Sequence, residues 1–217
     1  VILFGIRSDV AAATPALVND PKQFLLKKSS SKVGVKAALS GLPPLRSRVS
    51  KELDSHEAWL RVMKDAPLSL KSWRLPLRSK IESLMTESLK RAQRLDSAGG
   101  TFIPMEVKPG GAMPEELRSW YLDERLPGVL QHETRKHMRS DLHRYLFATC
   151  FLEAAGYVPD LTHFPPRLLP DHGNVESEEI PFKDRFRVQA GNAPSSTVVA
   201  HIKKDGHYYI HPDPAQC

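Results

Sequence analysis

Residues with chemical capacity gather in three places. His132-Glu133-Thr134-Arg135-Lys136-His137 sets two imidazoles and a carboxylate within six residues. A zinc-binding helix needs its two histidines at i and i+4, so that both face one metal. These stand at i and i+5, which swings the second ring off the face, so a polar helix surface exposing His137, Arg139 and His143 is expected instead. Cys150 lies among Phe147, Phe151 and Leu152. A nucleophilic thiolate needs a base or positive charge beside it to lower its pKa, so this setting predicts a buried structural thiol. The third place is C-terminal. Lys183, Arg185 and Arg187 alternate along an extended run, followed by Gly191-Asn192-Ala193-Pro194-Ser195-Ser196-Thr197 and then Lys203-Lys204. Cations supply phosphate contacts, and small hydroxyl residues on a loop approach a groove closely. An edge strand guarded by charge against aggregation has the same look. Gly99-Gly100 and Gly110-Gly111 are bare pairs that read as turns, and no glycine-rich loop for a phosphate or cofactor is present.

Charge adds a separate signal, located elsewhere in the chain. The 217 residues carry a net charge of +6, 41% hydrophobic and 26% charged residues, the profile of a globular chain of one large or two small domains. From Lys22 to Arg94 there are 17 Lys and Arg against 6 Asp and Glu, an excess of +11 that leaves the remainder at −5. Such a block favours a polyanionic partner, although a solvated helix surface accounts for it equally well. No apolar run approaches the roughly 20 residues that span a bilayer. Cys150 and Cys217 are too few and too far apart for a disulfide framework or a zinc ribbon, which points to a reducing cytoplasm. The chain opens without Met on Val1-Ile2-Leu3-Phe4, reads as starting inside a strand, and is expected to be an internal piece of a longer protein.

The elements that must position these groups are mostly helical. Val1 to Ile6 reads as a strand and Ala11 to Asn19 as a short helix. Another short helix through Val35, Ala38 and Leu39 is expected to be capped by Ser30 or Ser31 and stopped at Gly41. Ser55 to Met63 carries Trp59, Leu60 and Met63 on one side. Leu77 to Leu95 repeats apolar residues with helical period up to Gly99-Gly100. Glu115 to Tyr121 is helical after Pro114, and a long helix is expected from Gln131 to Ala155, ended by Gly156. Phe182 to Val188 reads as a strand. Val198 to Ile202 and His207 to Ile210 flank an Asp205-Gly206 turn in the manner of a hairpin. The fold class expected is thus α+β, mostly helical over 11–175 and β-rich over 176–217, with 1–10 closing a preceding domain.

Several stretches together resemble the bacterial DNA cytosine-5 methyltransferases. Val1-Ile2-Leu3-Phe4-Gly5-Ile6-Arg7-Ser8-Asp9 looks like the strand after that family's Gln-x-Arg-x-Arg motif. Leu39-Ser40-Gly41-Leu42-Pro43-Pro44-Leu45-Arg46-Ser47 resembles the family's Asp-Leu-Pro-Pro-Leu-Arg-Ser stretch. His132 to Met138, with Asp141-Leu142-His143-Arg144-Tyr145, resembles a long helix of one branch. Ser195 to Pro212 is similar to the segment leading into the family's Arg-x-Leu-Thr-x-Arg-Glu motif.

The resemblance implies a parent enzyme with a Rossmann-like domain that binds S-adenosylmethionine and a smaller target-recognition domain. Double-stranded DNA lies between them, and the target cytosine is flipped out of the helix. A Cys thiolate adds to carbon 6, a Glu assists at nitrogen 3, and carbon 5 takes the methyl group. The Pro-Cys, Glu-Asn-Val and Phe-x-Gly-x-Gly motifs that carry this chemistry are missing from the sequence. No catalytic, cofactor or metal residue is therefore assigned, and the chain alone is expected to be inactive.

What carries over is recognition. Thr197-Val198 matches the family's shared Thr followed by a branched residue, which packs beside the flipped nucleotide. Lys183, Arg185, Arg187, Gln189, Ser195, Ser196, His201, Lys203 and Lys204 are the expected DNA contacts, with Arg187 and Gln189 suited by type to bidentate base reading. The parent enzyme is expected to be monomeric, cytoplasmic and not membrane-bound, in a restriction-modification setting. The alternative is a free-standing helical nucleic-acid-binding module without enzymatic activity.

Overall fold

The computed structural model describes residues 5–13, 22, 32–105, 111–170, 183–197 and 206–216. The chain divides into two compact units, Val1–Lys32 and Val33–Cys217. In the first, Gly5, Ile6 and Arg7 form no strand, and Ser8–Ala13 is a helix (α1). Residues 1–4 of the expected strand and 14–19 of the expected helix lie outside the described residues.

The second unit begins with Val35–Ala38 (α2), whose N-cap is Gly34 with no side-chain cap, so neither serine expected to cap it does so. Arg48–Val49 (β1) follows, then His56–Lys64 (α3). The α3 start is written in the sequence: Ser55 Oγ accepts from Ala58 N at 3.1 Å, and Ala58, Trp59, Val62 and Met63 fall on one buried face. Ser55→Ala is expected to cost about 1 kcal/mol, as loss of an N-cap acceptor generally does, readable as a shifted urea midpoint with an unchanged slope. A 3-10 turn at Ala66–Leu70 leads to Arg78–Ala92 (α4), which buries Ile81, Met85, Ser88 and Ala92.

The largest departure from expectation comes next. Gly99-Gly100 does not merely end a helix; it opens Gly99–Pro104 (β2). Glu115–Tyr121 (α5) forms as expected, but the expected helix from Gln131 is divided. Gly128–Glu133 (β3) pairs antiparallel with β2, with Phe102 opposite Leu130 and Ile103 opposite Val129. Lys136–His137 (β4) then pairs in parallel with β1, and only Arg139–Ala155 (α6) is helical. Two glycines make the β2–β3 ribbon possible. A Cβ on Gly99 would stand 2.0 Å from the His132 carbonyl oxygen, and one on Gly128 would stand 2.3 Å from that of Ile103.

α6 is the axis of the unit. Leu142, Leu146, Phe147 and Ala148 are wholly buried, and the helix packs against α3, α4 and the 3-10 turns at Ala66–Leu70, Pro166–Leu168 and Pro214–Gln216. A helix buried on nearly every side from Asp141 to Phe151 is central. Cys150 is fully buried in this core, in keeping with a structural thiol. Gly156, at φ 82°, ends the helix by donating its N–H to Leu152 O. Among the described residues no helix is long and apolar enough to cross a membrane.

Candidate nucleic-acid interface

The C-terminal run expected to be a strand, Phe182 to Val188, has a different build over its described residues. Lys183 and Asp184 form a turn, and among the described residues the pairing is a parallel bridge between Val188 and Ile210. Arg187 N donates to His207 O at 2.8 Å, Ile210 N to Arg187 O at 3.1 Å, and Gln189 N to Ile210 O at 3.0 Å. Gly206–Tyr208 is a 3-10 turn, and 207–210 bonds to 187–189. The first limb of the expected hairpin, 198–202, lies outside the described residues.

Gln189 departs most from its expected role. The residue is buried, and its amide is fully engaged. Its Nε2 donates to Tyr208 O at 2.6 Å and Ser196 Oγ at 2.9 Å, while Oε1 accepts from Ser196 N at 2.9 Å and Ser195 Oγ at 3.2 Å. Bidentate base reading needs an exposed amide; here the amide clamps the 195–196 loop to the Gly206–Tyr208 turn. Tyr209 completes the clamp by donating its hydroxyl to Thr197 O at 3.0 Å. Thr197 is thereby held by its backbone with its side chain exposed. Lys183 and Arg187 are exposed, and Arg187 lies 3.4 Å from Asp184. Arg185 is half-buried with its guanidinium 5.9 Å from the Phe186 ring centroid. Ser195 is exposed and Ser196 half-buried, both tied to Gln189. Val198, His201, Lys203 and Lys204 fall outside the described residues.

Two arginines are buried, and neither stands out by residue type. Arg144 donates to Asp141 Oδ1 at 2.8 Å, Leu168 O at 2.7 Å and Leu169 O at 3.1 Å, and lies 5.2 Å from the Phe186 ring centroid. One guanidinium thus joins α6, the Pro166–Leu168 turn and the base of the Arg185–Arg187 run. Arg46 is the second. It forms a two-pronged pair with Asp54 at 2.9 and 3.0 Å and donates to Asp96 O and Ser47 O. Burial raises the Asp54 pKa, but Arg46 and the Val49 N–H outweigh it and leave the carboxyl below its usual range.

The histidine-rich stretch is structural as well. His132 Nε2 sits 2.8 Å from Pro43 O, and Thr134 Oγ1 donates to Arg46 O at 2.9 Å, so 132–137 docks on 43–49. His137, expected on an exposed helix face, is half-buried on β4, and His143 is half-buried with Nε2 2.7 Å from Val62 O. The Tyr145 hydroxyl stands 2.7 Å from His207 Nδ1 and 3.4 Å from His137 Nδ1. Burial pushes the His137 pKa down; Asp141 opposes this, and His207 and Arg135 add to it. That cluster escaped the sequence reading because Gln131 to Ala155 was expected to be one helix. Among the described residues no group of His, Cys, Asp and Glu is arranged to hold a metal.

The 39–47 and 132–145 stretches, with 195–197 and 206–212, therefore meet around α6 although remote in sequence. Thr149 Oγ1, 3.4 Å from His211 O, and Leu45 N, 3.4 Å from Gln216 Oε1, close the arrangement.

A stretch of 49 residues is 51% identical to the type II methyltransferase M.Bpa9945I of Bacillus paralicheniformis. It covers 23% of this chain and 11% of that protein, so this chain corresponds to a small part of its relative's length. Over that stretch the chain is related to a methyltransferase. No family model and no solved structure matches it.

Proposed function

We propose that this chain is the DNA target-recognition part of a DNA cytosine-5 methyltransferase. The observation that carries this reading is the clamped loop. Gln189 and Tyr209 fix the backbone of 195–197 and leave the Thr197 side chain facing outward, while Arg187 and Lys183 are exposed on the segment that the clamp holds. Preorganised loops lose little entropy on binding. A hydroxyl exposed on such a loop, with exposed cations on the 183–187 run, suits contact with a phosphate backbone. The partial likeness to a type II methyltransferase and the four stretches resembling the cytosine-5 enzymes supply the reaction class.

S-adenosylmethionine, in this proposal, is the methyl donor of the parent enzyme. The residues described here do not fit it. A Rossmann-like cofactor site lies at the carboxyl ends of several parallel strands, beside a glycine-rich turn. Parallel pairing among the described residues is limited to the two-residue β1–β4 ladder and the Val188–Ile210 bridge. No catalytic step is assigned to this chain.

The test is Thr197→Ala in the parent enzyme. Methylation is expected to fall by tenfold or more while non-specific duplex affinity changes less than twofold, because the backbone clamp is retained. Unaltered methylation would remove Thr197 from the site and, with it, the recognition role of the loop.

A further inference from the structure

The segment from Ala66 to Ile81 contains Lys71, Arg74, Arg78 and Lys80 and no Asp or Glu. Soluble surfaces ordinarily intersperse both signs. The fold brings a fifth cation to the same corner, because Arg167 Nη1 lies 3.5 Å from Leu68 O and Arg78 Nη1 donates to Lys71 O at 3.2 Å. Lys71, Arg74 and Arg167 are exposed, as are Leu68 and Leu75 between them. Among the described residues Glu82, 3.8 Å from Arg78, is the acid that pairs with this group.

The corner is also rigid. Trp73 is buried with its ring 5.4 Å from that of Phe147, edge to face, and its N–H donates to Leu70 O at 3.0 Å. The turn carrying Lys71 and Arg74 is thus anchored in the core by the residue between them. It adjoins the recognition segment as well, since the Arg144 guanidinium that holds Leu168 and Leu169, next to Arg167, also covers Phe186, between Arg185 and Arg187.

From this we infer that Lys71, Arg74, Arg78 and Arg167 form a second, sequence-independent contact with duplex DNA, gripping the phosphates that flank the recognised site. The inference rests on the proposed DNA-recognition role and extends the footprint beyond the Thr197 loop. Phosphate contacts of this kind anchor and orient without reading sequence. Each one releases a counterion, so each steepens the salt dependence of binding by about 0.9 in the log–log slope.

The experiment compares the 217-residue chain with its Lys71→Gln/Arg74→Gln/Arg167→Gln variant, titrating fluorescent duplexes of two lengths over a salt series. All three side chains are exposed, and matched urea midpoints verify that the variant folds. A single Arg74→Gln variant provides a milder second measurement. The expected result is a slope shallower by about 2 to 3 for the triple variant and by about 1 for the single. The loss of affinity should be the same for every sequence, and the gain that the wild-type chain shows on the longer duplex should disappear. Wild-type binding with an unchanged slope in both variants overturns the corner alone and leaves the Thr197 loop standing. Failure of the wild-type chain to bind duplex overturns the recognition role and this inference together. A slope that changes on single-stranded RNA but not on duplex DNA also overturns it.

Discussion

Arg144→Ala is expected to destabilise the protein by about 3–5 kcal/mol, the range seen when one partner of a buried ion pair is removed. Asp141 is buried at the start of α6, and its side chain and that of Arg144 are 9% and 10% exposed. Removing the guanidinium strands the carboxylate in the core and leaves Leu168 O and Leu169 O without their donor. Urea unfolding measures the loss directly. A loss below about 1 kcal/mol would place the pair among those that behave as surface pairs and contradict its structural role. Arg144→Met with Asp141→Leu provides the complement. Replacing both charges by apolar groups is often neutral or better, so the double variant should be more stable than Arg144→Ala. Its DNA affinity should nonetheless fall, because the Pro166–Leu168 turn and Phe186 lose the group that joins them.

Gln189→Ala separates two opposed roles for one residue. With the amide acting as a clamp, its removal takes the Gln189 bonds from Tyr208 O and Ser196 N. Each partner left unsatisfied costs about 1–3 kcal/mol at full burial, so for two part-buried partners the expected loss is between about 1 and 6 kcal/mol, accompanied by faster amide exchange at Ser196. A residue that read a base edge would behave otherwise. Its truncation would leave stability within about 0.5 kcal/mol, as exposed substitutions usually do, and would relax discrimination at one base pair by about 1–3 kcal/mol. The exchange measurement therefore reads the role without requiring knowledge of the recognised site.

Much of the helical framework is legible from local rules. Ser55 ahead of Ala58, Trp59, Val62 and Met63 marks α3 by cap and period alone, and Gly156 marks the end of α6. The β2–β3 ribbon is not legible in the same way. Gly99 and Gly128 are required by carbonyls that approach from the opposite strand, and nothing local distinguishes such a glycine from one that ends a helix. Gln131, at φ 53°, further departs from a helix that its neighbours favour by composition.

Charge misleads for a related reason. Arg46 belongs to the basic block counted from Lys22 to Arg94, yet it is buried and its charge is paired with Asp54. Arg144 likewise reads as one more helix cation. Gln189 has the right residue type for a base edge, but tertiary contacts from Ser195, Ser196 and Tyr208 occupy its amide. Residue type sets what a side chain is able to bind; only the fold determines which of those bonds remain open.

The most direct measurement is the affinity of the 217-residue chain for duplex DNA between 50 and 200 mM salt, followed by fluorescence anisotropy. Exposed cations at Lys183, Arg187 and the Lys71–Arg167 corner should produce binding that weakens at least a hundredfold over that range, since a handful of phosphate contacts suffices for roughly such a fall. Absent binding, or binding indifferent to salt, would contradict a DNA-recognition role for this chain.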